Sequence, residues 1–198
     1  MGKARARQMT DIMKAAEIEF SQKGFDGASV QAIADRTDLS KRQVLYFFGT
    51  KKNLYQSVVS NIFKDWTTHD LYQQTGEPRQ ILATYIEKIL RSSKEKPHLS
   101  KILINEMNRG ATVAIPIFHN INTNETFNKL KEKFENWQIE DKIRPIDPVQ
   151  YIFLLWAAQH FYAAFEPEIA YIMGRKKLRN EDWDNIIKQV KKILLGIL

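Results

Sequence analysis

The stretch Ser29-Val-Gln-Ala-Ile-Ala-Asp-Arg-Thr-Asp-Leu-Ser40-Lys-Arg-Gln-Val-Leu-Tyr-Phe-Phe-Gly-Thr-Lys-Lys52 holds two short helical patterns separated by a polar turn and followed by a lysine pair. Ser29 has N-cap chemistry, and Val30, Ile33 and Ala34 form an apolar stripe behind it. Arg36-Thr37-Asp38-Leu39 breaks that pattern. Ser40 with Gln43 three positions later has capping-box spacing, so the second helix begins at a defined residue. Its first turn displays Lys41, Arg42 and Gln43, while Val44, Leu45 and Phe48 anchor it. Helices this short are marginal alone, so neighbours must brace them and their outward face is what they are kept for.

Bracing segments lie on both sides. Arg5 to Lys23 carries Ile12, Ala15, Ala16 and Phe20 at the spacing of one buried helix face, and Gly24 is placed as its C-cap. Gly24 to Ala28 reads as a turn, with Phe25 available to pack beneath it. On the other side Thr50 caps a longer helix through Leu54, Val58, Val59, Ile62, Phe63 and Trp66.

After a polar stretch from His69 to Glu77, Pro78 and Pro97 each open a further amphipathic helix. Arg109-Gly110 marks a break. Ile115 to Trp137 reads as one longer segment interrupted near its start by Pro116. Asp147-Pro148 caps a helix to Phe165 that is apolar all round, which demands cover on every side, from its own core and from a partner subunit. The last helix, capped near Asn180, has Trp183, Ile186, Ile187, Val190, Ile193, Leu194 and Ile197 on one face and lysines opposite. No alternating strand pattern or internal repeat is found, so the expected fold is all-α with about nine helices.

Composition narrows the class. The formal net charge is +7, and residues 1–52 hold ten basic against six acidic side chains, +4 of that total. An anionic partner for this segment is the reading that follows. With no cysteine there is no disulfide framework, thiolate metal site or cysteine nucleophile, which fits a reducing cytoplasm. No apolar run approaches the roughly 20 residues of a membrane span, and the basic N-terminus lacks the apolar segment of a secretory signal. His69, His98, His119 and His160 are scattered, with no metal-binding motif, phosphate loop or nucleophile elbow. An enzyme is therefore not expected, nor any cofactor or metal.

Gly24-Phe25 before Ser29-Val30, then Ile33-Ala34, Leu39-Ser40-Lys41, Leu45-Tyr46-Phe47-Phe48-Gly49-Thr50-Lys51 and Leu54 together resemble the DNA-binding domain of TetR/AcrR-type transcriptional regulators, over roughly residues 9–60 without a gap. The resemblance implies a dimeric all-helical repressor. A helix-turn-helix domain, residues 1–52, would bind palindromic operator DNA, and residues 53–198 would bind a small-molecule effector and dimerise. Many relatives have Gly or a small residue where Arg42 stands, Tyr at Leu45 and His at Phe47. Those departures, with Asn105-Glu106-Met107, Pro145-Ile146-Asp147-Pro148 and Ile152-Phe153-Leu154-Leu155-Trp156-Ala157, resemble the pyrimidine-utilisation repressors of the family. A planar heterocycle such as a pyrimidine is the effector this implies.

The second helix of such a motif enters the major groove N-terminus first, which makes Lys41, Arg42 and Gln43 the candidate base readers, Arg toward guanine and Gln toward adenine. Ser40 sets where that helix begins. Ser29 opens a helix N-terminus suited to a phosphate. Tyr46, Phe47 and Lys51 stand toward the backbone at the far end, and Arg5 or Arg7 would reach neighbouring phosphate or the minor groove. For the effector the candidates are Trp66, Glu106, Trp156, Gln159, His160 and Tyr162, aromatic or polar-tipped residues among apolar helices. Homodimerisation is expected through the helices around 147–165 and 180–197. An activator, or a nucleic-acid-binding protein without sequence preference, is the alternative.

Overall fold

The computed structural model describes residues 2–67 and 71–198, with the side chains of 65–67 left aside. Every regular element among the described residues is helical. The chain divides into two compact units, residues 1–67 with 101–117, and 68–100 with 118–198.

In the first unit α1 (Lys3–Gly27) packs against α2 (Val30–Ala34) and α4 (Lys51–Thr67), and α3 (Lys41–Phe48) sits between α2 and α4. Ile12, Ala16, Phe20, Ile33, Val44, Leu54, Val58 and Val59 form its core, each at most 1% exposed. Burying the Val, Leu, Ile and Phe side chains among these is worth roughly 1.5–3 kcal/mol apiece, which is how helices of five and eight residues persist. Two glycines shape the unit. Gly24 has φ 66°, breaking α1 into the turn before α2, and Gly49 has φ 74°, reversing the chain between α3 and α4. In these conformations a Cβ is penalised.

The end of α6 (Pro97–Asn108) and the start of α7 (Ala114–Asn120) also belong to this unit. The second unit is built on α5 (Pro78–Glu95), which packs against α9 (Pro148–Ala164) and α11 (Asn180–Gly196), with α8 (Thr123–Ile139) and α10 (Glu166–Ile172) against α9. Its core runs through Leu82, Ile86, Leu90, Phe134, Ile152 and Leu155.

Three sequence expectations change. The segment from Ile115 to Trp137 is two helices, parted at Asn122, which takes a left-handed φ of 51°, while Pro116 lies inside α7. Phe165 ends α9 and leads directly into α10, with Pro167 in its first turn. Together these raise the α-helices from about nine to eleven among the described residues. Finally, Ile193 and Ile197 do not join the buried face of α11 but stand 62% and 43% exposed.

Candidate functional site

The start of α3 is built as its sequence implies. The Ser40 Oγ accepts from the Gln43 N–H at 3.3 Å, and the Gln43 Oε1 accepts from the Ser40 N–H at 2.8 Å and from its hydroxyl at 2.9 Å. Such a box satisfies the otherwise orphaned donors of a first turn and holds the helix entry in place. It also turns the Gln43 side-chain oxygen inward on the cap, leaving its amide group as the part free to meet a base edge. Lys41 and Arg42 are exposed, and no hydrogen bond or ion pair engages either among the described residues. Ser29 caps α2 in the same manner, accepting from the Ala32 N–H at 3.0 Å.

At the other end of α3, Tyr46 is 74% exposed and Phe47 half-buried, their rings edge to face. Lys51 is not at the surface of this face. Its Nζ donates to the Ala28 carbonyl at 3.0 Å and the Asp26 carbonyl at 3.4 Å, and lies 4.8 Å from the Phe25 ring centre. That ammonium braces the α1–α2 turn against α4, and Lys52 is the lysine left exposed.

Two buried carboxylates hold the unit together. Glu19, 4% exposed, pairs with Arg36 at 3.1 Å and so fixes α1 to the turn before α3. Glu106, fully buried, accepts from the Tyr55 hydroxyl at 3.0 Å, from the Val113 and Ala114 N–H groups at 2.6 and 3.2 Å, and from Arg109 at 3.4 Å. Arg109 in turn reaches Asp26 at 3.2 Å and covers the Phe25 ring. Burial, reinforced by the Glu106 carboxylate, pushes the Tyr55 phenol well above the usual tyrosine range, so it stays a donor. Both oxygens of Glu106 are thus engaged by this chain's own donors. Tyr55, Arg109 and Asp26 were invisible as a set in the sequence, where Arg109 reads only as part of a break.

Of the effector candidates, Trp66 has its side chain outside the described residues and Glu106 belongs to the first unit. Trp156, Gln159, His160 and Tyr162 all project from α9 in the second. Trp156 packs against Phe127 and Phe153. His160 Nδ1 lies 3.2 Å from the hydroxyl of Ser100, a buried residue that no sequence signal marks. Burial pushes the His160 imidazole down to about 4, so it is neutral at physiological pH. Gln159 is 5% exposed, and no hydrogen bond engages its side-chain amide among the described residues. Tyr162 is half-buried beside Phe161. A separate cavity of about 310 Å³ is lined by residues including Leu71, Gln80, Thr84, Tyr85 and Lys88, but by none of these four. Among the described residues no group of His, Asp and Glu is arranged to hold a metal ion.

Residues 12–58 match the family described as bacterial regulatory proteins, tetR family, and residues 58–198 match the YcdC-like protein C-terminal region. The chain belongs to the tetR family of bacterial regulatory proteins. Its capped helix pair is the helix-turn-helix of a DNA-binding transcriptional regulator. This tetR-family chain is 31% identical over 189 residues to the HTH-type transcriptional regulator RutR of Escherichia coli K12, spanning 93% of the chain and 87% of that relative. The fold recurs in a TetR/AcrR-family regulator from Thermobifida fusca, with a TM-score of 0.63 and 18% identity over 96% of this chain and 97% of that one. It recurs also in AibR, solved with isovaleryl coenzyme A and operator DNA, with a TM-score of 0.72 and 17% identity over 94% and 97% of the two chains.

Proposed function

We propose that this protein is a homodimeric repressor acting in the cytoplasm, which binds a palindromic operator through α3 and releases it when a small effector binds the second unit. The carrying observation is the first turn of α3, fixed by its capping box and presenting Lys41 and Arg42 outward, with no hydrogen bond or ion pair to either among the described residues. In such a motif those side chains meet base edges in the major groove, with Gln43 beside them, and the N-terminus of α2 at Ser29 faces a phosphate. Tyr46 and Phe47 flank the backbone, and Lys51 holds the turn that orients them. On the boundary expected from the sequence, residues 1–52 serve DNA and the effector and dimer contacts fall within 53–198.

Dimerisation is supported by the apolar surface one chain leaves uncovered. Phe153, Leu154, Phe161 and Phe165 along α9, and Ile193 and Ile197 on α11, are each more than 40% exposed. Two copies of this helix pair make a four-helix interface, placing the two reading helices about one DNA turn, roughly 34–36 Å, apart. The effector reading rests on Gln159, a largely buried residue of α9 whose amide makes no hydrogen bond among the described residues. An amide offers one acceptor and two donors, the complement of the alternating edge of a planar heterocycle. Neutral His160, Trp156 and Tyr162 supply the polar tips and flat faces for an uncharged planar heterocycle, and a pyrimidine fits that description. Calorimetric titration with uracil and thymine tests this. Saturable heat that Gln159→Leu abolishes is expected, and absence of heat with both ligands excludes the class.

A further inference from the structure

The base contacts assigned above use the N-terminal turn of α3, whereas at the opposite end of that helix the structure seats a cation from α1 on the aromatic pair Tyr46 and Phe47. The Arg5 guanidinium carbon lies 5.8 Å from the Tyr46 ring centre and 5.7 Å from that of Phe47, and the two rings meet edge to face at 5.7 Å. Arg5 is exposed, and no carboxylate pairs with it among the described residues. Arg7 differs, lying 4.0 Å from Asp11 on the next turn. A guanidinium resting on aromatic rings keeps its in-plane N–H donors available for oxygens, and the rings reduce the freedom lost when a contact forms.

The sequence leaves Arg5 and Arg7, and phosphate and minor groove, as open choices. The structure separates them. Because α1 is helical from Lys3 onward, Arg5 is carried on a rigid element and not on the extended arm that threads a minor groove. Its charge is committed to the C-terminal end of α3, where a cation is favoured by the helix dipole and where exposed Lys52 is the neighbouring lysine in the sequence motif.

We infer that Arg5 is a phosphate-binding residue, seated on Tyr46 and Phe47, that neutralises one operator phosphate per protomer at the far end of the reading helix. The inference rests on the regulator reading above. It assigns the aromatic pair a positioning role, which explains how a phenylalanine at position 47 serves a DNA-binding face without a polar atom of its own.

The test is the salt dependence of binding by the full-length dimer to a palindrome recovered from random DNA, followed by fluorescence anisotropy. Removing one phosphate contact per protomer lowers the slope of log K against log[salt] by about 0.9 each, about 1.8 per dimer. For Arg5→Ala the affinity ratio to the unaltered protein therefore narrows about twelve-fold as KCl rises from about 50 to about 200 mM. Arg5→Lys keeps the slope and loses affinity, because charge survives and stacking does not. Arg7→Ala leaves the slope unchanged. An unaltered slope in Arg5→Ala, or an equal fall in Arg7→Ala, overturns the assignment. Failure of the regulator reading is separately visible, since the unaltered protein would then show no preference for the palindrome over random DNA.

Discussion

Replacing Glu106 by Gln removes a charge from the middle of the first unit while keeping its shape. The carboxylate takes four donors in a fully buried position. A glutamine oxygen still accepts from Val113 and Ala114. The other position becomes an amide nitrogen that cannot accept from the Tyr55 hydroxyl, 3.0 Å away, and that points donors at Arg109, 3.4 Å away. Hydrogen bonds to charged groups are worth about 1.5–3 kcal/mol, and leaving the Arg109 donor opposed adds to the loss, so Glu106→Gln should cost about 2–4 kcal/mol of stability. Tyr55→Phe, which removes one hydroxyl and leaves the second carboxylate oxygen to Arg109, should cost about 1 kcal/mol. Since both changes break the same bond, the double variant should be less destabilised than additivity requires, by about 1 kcal/mol. Urea unfolding of the three variants, followed by circular dichroism without any effector, gives the cycle. Strict additivity, or Glu106→Gln within about 0.5 kcal/mol of the unaltered protein, refutes the claim that this carboxylate ties α4 and α6 together.

Other outcomes follow from single sites. Arg42→Ala should weaken operator binding, by about 1–3 kcal/mol if the contact is bidentate to guanine, and leave Tm nearly unchanged; electrophoretic mobility shifts with a thermal melt check both. His160 has its folded value depressed to about 4, so the unfolded chain takes up its proton first. Its contribution is therefore complete above the unfolded value near 6.5 and is lost as pH falls toward 4, by up to about 3 kcal/mol. His160→Gln should flatten the stability profile across that window, and parallel profiles would contradict it. Phe161→Glu places a charge on the exposed apolar face of α9 and should yield a folded monomer by light scattering, with helical content unchanged by circular dichroism.

The caps and helix faces of the helix-turn-helix were legible because every signal in them is local. Ser29, Ser40 and Gln43 act within three or four residues of themselves, and the apolar residues repeat at helical spacing, so caps and faces can be read from adjacent positions. What was not legible depends on residues distant in the chain. Lys51 reads as a surface cation, yet its partners are the Asp26 and Ala28 carbonyls. Glu106 reads as a polar tip facing a ligand, and its partners include Tyr55, 51 positions away. The parting of α7 from α8 turns on a left-handed Asn122, a conformation asparagine permits without announcing it. In α11 the apolar residues at 193 and 197 have the spacing of a core face, and only the structure separates those that line this chain's core from those left for a second copy.

Whether the first turn of α3 reads DNA decides the function of this protein. Selection of bound sequences from random DNA, with the recovered site then titrated against a scrambled duplex at fixed salt, measures this directly. The expected result is a single palindrome with half-sites one helical turn apart, bound at least about 10³-fold more tightly than the scrambled duplex. Binding of both duplexes with equal affinity would contradict the account and leave a basic helical protein without sequence preference.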